Sequence, residues 1–286
     1  MAVENKRKRL PPWFKINLKT GDGFRNVQKQ VQANKLHTIC RSAACPNQNE
    51  CWNAGTASFM IMGDVCTRTC RFCSVPKGTP SNLDREEPER VARAVAELNL
   101  KYAVITSVTR DDLPDGGAES FAATIKAIRT TSPGCRVEVL IPDFRGSVES
   151  LKTVLKASPD VLGHNVETTP SLYSRVRPQA LYQRSLDLLS RARENGAVTK
   201  TGLMLGLGES TVEIRSVMHD LRSVDCQILT LGQYLQPGRN HLPVEKYYFP
   251  DEFASFREDA VSLGFKHTVA DPLVRSSYHA NHYRPE

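Results

Sequence analysis

The sequence predicts an α/β protein whose centre is a partial (β/α)6 barrel with an extension at each end. Six short apolar runs recur along the chain, and amphipathic segments of helical length separate them. Strands that alternate with helices in this way are typical of parallel βαβ units. At 286 residues the chain also has the size at which an α/β barrel forms one domain. These three observations favour a partial barrel over a doubly wound sheet.

The elements follow in order from the amino terminus. After Pro11 and Pro12, residues 23–35 predict a short helix, and a loop rich in Asn, Pro and Ser comes next. The predicted strands are the apolar runs 57–63, 102–108, 136–141, 161–166, 199–207 and 227–234. The predicted helices are the amphipathic segments 88–98, 118–130, 147–156, 181–195 and 210–223. This order predicts a basic amino-terminal extension (1–55), a barrel core (56–240) and a carboxyl-terminal extension (241–286).

Six of the eight cysteines form two closely spaced triplets, which are Cys40, Cys45 and Cys51, and Cys66, Cys70 and Cys73. Thiolates at this density, in a chain that opens without an apolar leader, are typical of ligands for iron–sulfur clusters. Each triplet is one short of the four cysteines that saturate a cluster. The size of the chain argues against a disulfide framework, and the lack of a nearby fourth ligand argues against zinc. Cys135 and Cys226 stand alone in apolar runs and are predicted core residues.

Polar residues interrupt or follow the predicted strands. The second triplet directly follows the first strand, and barrels hold their chemistry in loops at the carboxyl ends of strands. The polar residues at other strand ends are Thr106, Ser107, Thr109, Asp111, Asp112, His164, Asn165, Glu167 and Gln233. Buried polar side chains need partners, and a polar ligand inside the barrel would supply them. As a set they favour ligand binding, although each one alone is also compatible with a structural role.

Positive charge is concentrated at the amino terminus. Residues 1–35 contain nine Lys and Arg against Glu4 and Asp22, which equals the whole net charge of +7. A basic arm indicates either an acidic partner or a solubilising terminus. Nucleic acid ranks low as the partner, because the arm has Trp13 and Phe14 but no series of aromatics to stack on bases. The sequence contains no run of eighteen apolar residues, so it predicts no membrane span. We expect a cytoplasmic enzyme.

Three motifs resemble those of a known family. The spacing Cys-x3-Cys-x2-Cys, with Phe72 before the last cysteine, resembles the signature of radical S-adenosylmethionine (SAM) enzymes. Residues 202–209 resemble the strand-five Gly-x-Ile-x-Gly-x-x-Glu pattern of the same enzymes. The two triplets in this order, together with Arg275-Ser276-Ser277-Tyr278, resemble lipoyl synthases. This last resemblance runs from Cys40 to the carboxyl end and includes residues 109–113, 164–168 and 233–237.

The resemblance implies a radical SAM barrel whose extensions hold an auxiliary cluster. Lipoyl synthases are radical SAM sulfurtransferases that insert two sulfur atoms at C6 and C8 of a protein-bound octanoyl-lysine. Two [4Fe-4S] clusters and S-adenosyl-L-methionine are the implied cofactors. The resemblance assigns the SAM-binding cluster to Cys66, Cys70 and Cys73, and the auxiliary cluster, which is sacrificed for its sulfur, to Cys40, Cys45 and Cys51. Ser277, rather than Ser276, is the expected fourth ligand of the auxiliary cluster.

The remaining expectations concern SAM and the partners. Asn165 and Glu167 are the candidates for the ribose of SAM, Arg175 or Arg177 for its carboxylate, and Thr106, Ser107 and Gly206 complete the candidate cofactor site. The implied partners are an octanoylated lipoyl carrier domain or the glycine-cleavage H protein, and an electron donor such as ferredoxin or flavodoxin. Two other functions compete: a different radical SAM enzyme resembling biotin synthase, and a cluster-based redox sensor or nucleic-acid-binding regulator.

Overall fold

The computed structural model describes residues 10–16, 20–54 and 56–283, and its centre is one eight-stranded sheet. The strands are β1 (His37–Thr38), β2 (Ser58–Ile61), β3 (Tyr102–Ser107), β4 (Arg136–Leu140), β5 (Val161–Gly163), β6 (Thr199–Leu205), β7 (Ile228–Gln233) and β8 (His267–Ala270). They lie side by side in chain order. Strands β2 to β8 pair in parallel, whereas β1 is antiparallel to β2. The six predicted strands are β2 to β7, so the predicted α/β fold with its parallel barrel strands is confirmed.

One helix precedes the first strand, and the other helices lie in the connections between strands. They are α1 (Asp22–Ala33), α2 (Ile39–Ser42), α3 (Gln48–Asn53), α4 (Glu87–Glu97), α5 (Ala118–Thr131), α6 (Val148–Lys156), α7 (Tyr173–Val176), α8 (Tyr182–Glu194), α9 (Thr211–Ser223) and α10 (Pro250–Ser262). The six predicted helices are α1, α4, α5, α6, α8 and α9, each with ends within two residues of the prediction. Local signals fix some of these ends. Ser210 and Glu213, for example, form a capping box at the start of α9.

Alternation along each strand separates an apolar face from a polar one. Residues such as Ile105 and Val139 pack under helices α4 to α6, in one large cluster that also contains the predicted core residue Cys135. A second cluster under α8 to α10 contains Cys226. The buried polar residues of the same strands, such as Glu138 and Lys200, lie on the opposite, inner face. The sheet therefore encloses a polar interior, and both isolated cysteines are confirmed as core residues.

The carboxyl-terminal extension continues the sheet. Helix α10 and strand β8 add one more β/α unit beside β7, which the sequence analysis did not predict. The chain then passes so close to β7 that a Cβ on Gly232 would lie 2.0 Å from the carbonyl oxygen of Val274. Asn47 Nδ2 donates to the carbonyl of Leu273 at 2.7 Å and joins the two extensions. Among the described residues, no helix is long and apolar enough to cross a membrane.

Candidate active site

The loop that carries Cys66, Cys70 and Cys73 begins at the carboxyl end of β2. Met62 and Gly63 adopt positive φ angles of 67° and 88°, which turn the chain out of the strand. The amide of Cys66 donates to the carbonyl of Pro76 at 2.8 Å, and the amide of Gly78 donates back to the carbonyl of Cys66 at 3.0 Å. These two bonds close the loop into a compact turn at the barrel mouth, where the sequence predicted it.

Arg68 anchors this loop to two neighbouring strand ends. Its Nε and Nη2 atoms donate to the carboxylate of Asp111 after β3, at 2.7 and 2.9 Å. Nη2 also donates to Asp143 after β4, at 2.5 Å. Arg68 and Asp143 are buried, so these charge-assisted bonds lie in a medium of low dielectric constant. Asp111 therefore acts through Arg68, and Asp143 is a partner that the sequence analysis missed.

The thiols of the loop lie among backbone donors and charged side chains. Cys66 Sγ accepts hydrogen bonds from the amides of Arg68 and Thr109, at 3.4 and 3.3 Å. Burial raises the pKa of Cys73 to about 11. Burial also raises the pKa of Cys70, and the nearby charge of Arg177 opposes that effect. Burial favours the protonated thiol, whereas metal binding stabilises the thiolate and releases the proton of the thiol. Bound iron would therefore keep these cysteines deprotonated.

Asn165, Glu167 and Arg177 lie together inside the barrel mouth. The backbone amide of Glu167 donates a hydrogen bond to the carbonyl of Gly202 at 2.9 Å, and Glu167 has a φ of 67°, a conformation that non-glycine residues rarely adopt. Asn165 Nδ2 donates to Glu167 Oε1 at 3.2 Å. Burial raises the pKa of Glu167, and the charge of Arg177 opposes it. The structure thus brings the two ribose candidates and one carboxylate candidate together next to the cysteine loop.

The two arginine candidates differ in their surroundings. Arg177 is buried, and its Nη1 donates to the carbonyl of Asn165 at 2.8 Å and to the hydroxyl of Tyr173 at 2.9 Å. Its Nε has no hydrogen-bond partner. Arg175 is half-exposed and pairs with Glu245 at 2.9 Å. Arg177 is therefore the better placed of the two for a ligand in the barrel.

The other candidates divide into ligand-facing and structural positions. Ser107 Oγ is buried without a hydrogen-bond partner, whereas the hydroxyl of Thr106 donates to the carbonyl of Leu140 at 3.2 Å. Gly206 has a φ of +105°, and a Cβ there would lie 2.1 Å from Gln233 Nε2. The space beside Gly206 is thus filled by the protein itself. Glu209, not recognised from sequence as a loop-binding group, accepts the amides of Gly206 and Leu207 at 2.5 and 2.9 Å.

Two polar residues of the predicted ligand set have internal partners. His164 is fully buried, with Nδ1 2.9 Å from the carbonyl of Ile141 and Nε2 2.9 Å from Ser185 Oγ. Gln233 Nε2 donates to the carbonyls of Leu205 and Lys246, both at 2.9 Å. The polar groups of both side chains are engaged by the protein, which gives His164 and Gln233 a structural role.

The first triplet lines a separate pocket between the two extensions. Cys40 lies on α2, Cys51 on α3, and Cys45 on the loop between these helices. The space between the lining atoms is about 310 Å³, part of it open to solvent. Its lining residues are Cys40, Cys45, Asn47, Gln48, Cys51, Thr56, Ala57, Ser58, Arg275, Ser277 and Tyr278. Ser277 therefore lies in the wall of the cysteine pocket, whereas Ser276 is not among the lining residues.

Contacts between the extensions close this pocket. Tyr278 hydroxyl donates to Glu50 Oε1 at 2.9 Å. Burial, and then the neighbouring thiols Cys40 and Cys45, raises the pKa of Cys51 to about 12. Burial lowers the pKa of the Arg275 guanidinium, and the charge of a Cys45 thiolate would raise it. A partly buried cation thus lies beside a cluster of thiols, an arrangement that stabilises negative charge on sulfur.

The chain matches known proteins along nearly its whole length. The radical SAM superfamily matches residues 60–221, and the N-terminal domain of lipoyl synthase of the radical SAM family matches residues 2–45. A lipoyl synthase from Rubrobacter xylanophilus is 54% identical over 280 residues, which cover 97% of this chain and 87% of the relative. One from Chlorobaculum tepidum is 51% identical and covers 96% of each chain. The chain belongs to the lipoyl synthase family.

Solved structures support the fold of this lipoyl synthase family member. The FeFe-hydrogenase maturase HydG from Carboxydothermus hydrogenoformans superposes with a TM-score of 0.59 at 17% identity, over 92% of this chain and 72% of that one. Methylornithine synthase superposes with a TM-score of 0.55 at 11% identity, over 94% and 86%. At such low identity these likenesses concern the fold alone.

Membership of the radical SAM superfamily brings a [4Fe-4S] cluster and SAM as cofactors, and the residues of the barrel mouth fit them. The unpartnered atoms Ser107 Oγ and Arg177 Nε offer buried polar groups to a ligand. Among the described residues, no three His, Cys, Asp or Glu side chains form a group that could hold a single metal ion. A [4Fe-4S] cluster places no such demand, because it binds each thiolate through a different iron.

Proposed function

We propose that this chain inserts two sulfur atoms at C6 and C8 of a protein-bound octanoyl-lysine, with an auxiliary [4Fe-4S] cluster as the sulfur substrate. Cys66, Cys70 and Cys73 would hold the SAM-binding cluster and leave one of its irons without a protein ligand. Bound SAM and this cluster supply the radical chemistry that removes hydrogen from unactivated C–H bonds. The protein holds the cysteine loop through Arg68 and buries the surrounding polar groups away from water.

One observation carries the sulfur-donating part of this proposal. Ser277 lines the same pocket as Cys40, Cys45 and Cys51, although more than 220 residues separate it from the triplet. A hydroxyl and three thiols provide four ligands for four irons. A serine oxygen is a harder ligand than a thiolate, so its bond to one iron is mismatched and readily released. We infer that Ser277 is the ligand that lets the auxiliary cluster be dismantled as sulfur leaves it.

For the SAM-binding side, we propose that Asn165 and Glu167 bind the ribose and that Arg177 binds the carboxylate. The support is their proximity to the cysteine loop, together with the unpartnered Nε of Arg177. Thr106 and Gly206 would shape this site through their packing, and Ser107 would offer its free hydroxyl. Arg175, paired with Glu245, would lie at the rim.

The test is anaerobic reconstitution followed by product analysis. We expect about eight irons per chain from two four-iron clusters. With reductant, SAM and an octanoyl-lysyl peptide, mass spectrometry should detect methionine and a peptide that has gained sulfur. A Ser277→Ala variant should keep SAM cleavage but lose sulfur insertion, and Ser276→Ala, which alters the adjacent hydroxyl, is the control. A single cluster in the wild-type protein, or equal loss of both activities in Ser277→Ala, would contradict the proposal.

We also propose an octanoylated lipoyl carrier domain or glycine-cleavage H protein as partner, and ferredoxin or flavodoxin as electron donor. The support for an acidic partner is the charge of the amino arm. Five of its basic residues (Lys6, Arg7, Lys8, Arg9 and Lys19) lie outside the described residues. Replacing Lys15, Lys29 and Lys35 by Gln should slow carrier association and flatten its salt dependence, and unchanged kinetics would refute this role. Cytoplasmic location without membrane or nucleic-acid binding stays a prediction from the sequence.

A further inference from the structure

The segment 275–283, which we call the tail, runs from the cysteine pocket to the amino end of the barrel. Ser277 lines the pocket. Ala280 packs against Tyr102 and Val104 of β3, and Tyr283 packs against Val161 of β5 and Ile228 of β7. Tyr102, Val161 and Ile228 are the first residues of their strands. The tail therefore covers the end of the barrel opposite to the SAM-binding loop.

Arg136, the first residue of β4, binds the main chain of the tail. Its Nη1 donates to the carbonyl of Tyr283 at 2.9 Å, and its Nη2 donates to the carbonyl of Asn281 at 3.2 Å. The guanidinium lies 4.9 Å from the centre of the Tyr102 ring. The Tyr102 hydroxyl donates in turn to buried Glu138 at 2.6 Å. Within the described part of the chain, Arg136 forms no ion pair, so its donors serve the tail.

The tail is short and folded, so an anchor at one end limits movement at the other. Successive turns link the amide of Tyr278 to the carbonyl of Arg275 at 2.9 Å, and the amide of His282 to the carbonyl of His279 at 2.9 Å. On the other side of Ser277, Asn47 holds the carbonyl of Leu273 at 2.7 Å. Ser277 thus lies between two anchors, neither of which is a candidate ligand of a cluster.

We propose that Arg136 is a positioning residue for Ser277. The proposal rests on the proposed role of Ser277 as a cluster ligand. A serine that releases iron as sulfur leaves the cluster needs a support that does not depend on its own bond to iron. Arg136 provides this support, because it holds the tail from the far end of the barrel. The hydroxyl of Ser277 then stays opposite the cysteines while the cluster changes.

The first test measures hydrogen exchange of the tail in the metal-free protein. Arg136→Lys keeps the charge but loses the planar fork that reaches two carbonyls. We expect the amides of Tyr278, Ala280 and His282 to exchange at least about tenfold faster, as the loss of one charge-assisted hydrogen bond implies. Amides of α5 should be unchanged, which separates loosening of the tail from global unfolding.

Arg222→Lys is the matched control. Arg222 also donates to two carbonyls, those of Cys226 at 2.6 Å and Leu263 at 3.3 Å, and its guanidinium lies 5.4 Å from the Phe265 ring centre. Arg222 also pairs with Asp225 at 3.1 Å, and none of its partners among the described residues lies in the tail. Tail exchange in Arg222→Lys should therefore remain at the wild-type rate. Equal tail exchange in Arg136→Lys and Arg222→Lys would overturn the proposal.

The second test measures the auxiliary cluster in the reconstituted protein by Mössbauer spectroscopy. In Arg136→Lys we expect a smaller fraction of oxygen-ligated iron and a lower ratio of sulfur insertion to SAM cleavage. An unchanged oxygen-ligated fraction despite faster tail exchange would also refute the positioning role. If Ser277→Ala leaves the wild-type spectrum unchanged, serine ligation itself is wrong, and that outcome is distinct from the exchange result.

Discussion

Asp143 is the fully buried carboxylate that holds the loop of Cys66, Cys70 and Cys73 through Arg68. Its side chain is 0% exposed and accepts from Arg68 Nη2 at 2.5 Å, from the Arg145 amide at 3.0 Å and from Arg184 Nη1 at 3.3 Å. Burial alone would raise the pKa of Asp143, but the hydrogen bond and charge of Arg68 outweigh it and hold the pKa well below its usual value. We therefore predict that Asp143→Ala leaves the Arg68 guanidinium buried and undercompensated.

The expected cost follows from this burial. Removing one member of a buried ion pair lowers the free energy of unfolding by about 3–5 kcal/mol. Asp84 offers a matched control, because it also pairs with an arginine, Arg90, at 2.8 Å, and accepts the amide two residues later, that of Glu86, at 2.9 Å. The Asp84 side chain is 54% exposed, so we expect Asp84→Ala to cost only about 1 kcal/mol.

Urea denaturation of the metal-free protein measures both costs, provided that the slope with denaturant is the same in all variants. Iron content after reconstitution adds a functional readout, since Asp143→Ala should lose iron from the loop of Cys66, Cys70 and Cys73. If Asp143→Ala is no more destabilising than Asp84→Ala, the buried network does not hold the loop, and the structural argument fails.

Two further predictions concern residues that the structure assigns to packing. Gly206→Ala places a Cβ 2.1 Å from Gln233 Nε2, whereas Gly264 (φ +87°) has no atom within 4 Å of the added Cβ. Backbone strain should lower the free energy of unfolding of Gly264→Ala by about 1–2 kcal/mol. In Gly206→Ala, steric overlap should lower it by about 1–3 kcal/mol more than in Gly264→Ala. Equal urea midpoints for the two variants would contradict this prediction. Burial, with Arg177 acting in the same direction, lowers the pKa of His164 to about 4, from an ordinary value near 6.5. The stability that comes from neutral His164 is therefore fully present above about pH 6.5. As the pH falls from 6.5 to 4, the unfolded chain binds a proton that the folded protein does not, and the free energy of unfolding falls by about 3 kcal/mol. His164→Gln should lack this loss, and parallel curves of unfolding free energy against pH for the two proteins would disprove it.

The barrel core was predictable because its signals are local. Each of β2 to β7 is an apolar run, and each intervening helix has its own amphipathic pattern. Strand β8 was missed because His267–Ala270 is short and not continuously apolar, and it forms a strand through its pairing with β7. Helix α10 did have local signals in Pro250, Asp251 and Glu252, which occupy its first turn.

The candidate site was predictable to the same extent. The members of each cysteine triplet are close in sequence, so their spacing alone indicated cluster ligands. Arg68 and Asp143, 75 residues apart, could not be paired from sequence. The internal partners of His164 and Gln233 could not be predicted from sequence either. These partners show that two residues expected to bind a ligand have a structural role.

The sequence by itself determined the order of strands and helices, the two triplets and the resemblance to a family, because these depend on residues near one another in the chain. The resemblance led us to expect Ser277 beside the first triplet, but only the tertiary structure placed it in the pocket of Cys40, Cys45 and Cys51, and the tail against Arg136. Such contacts require the closure of loops of more than 100 residues, which costs conformational entropy. Burial and hydrogen bonding across the whole fold offset that cost. No local pattern of residues encodes that closure.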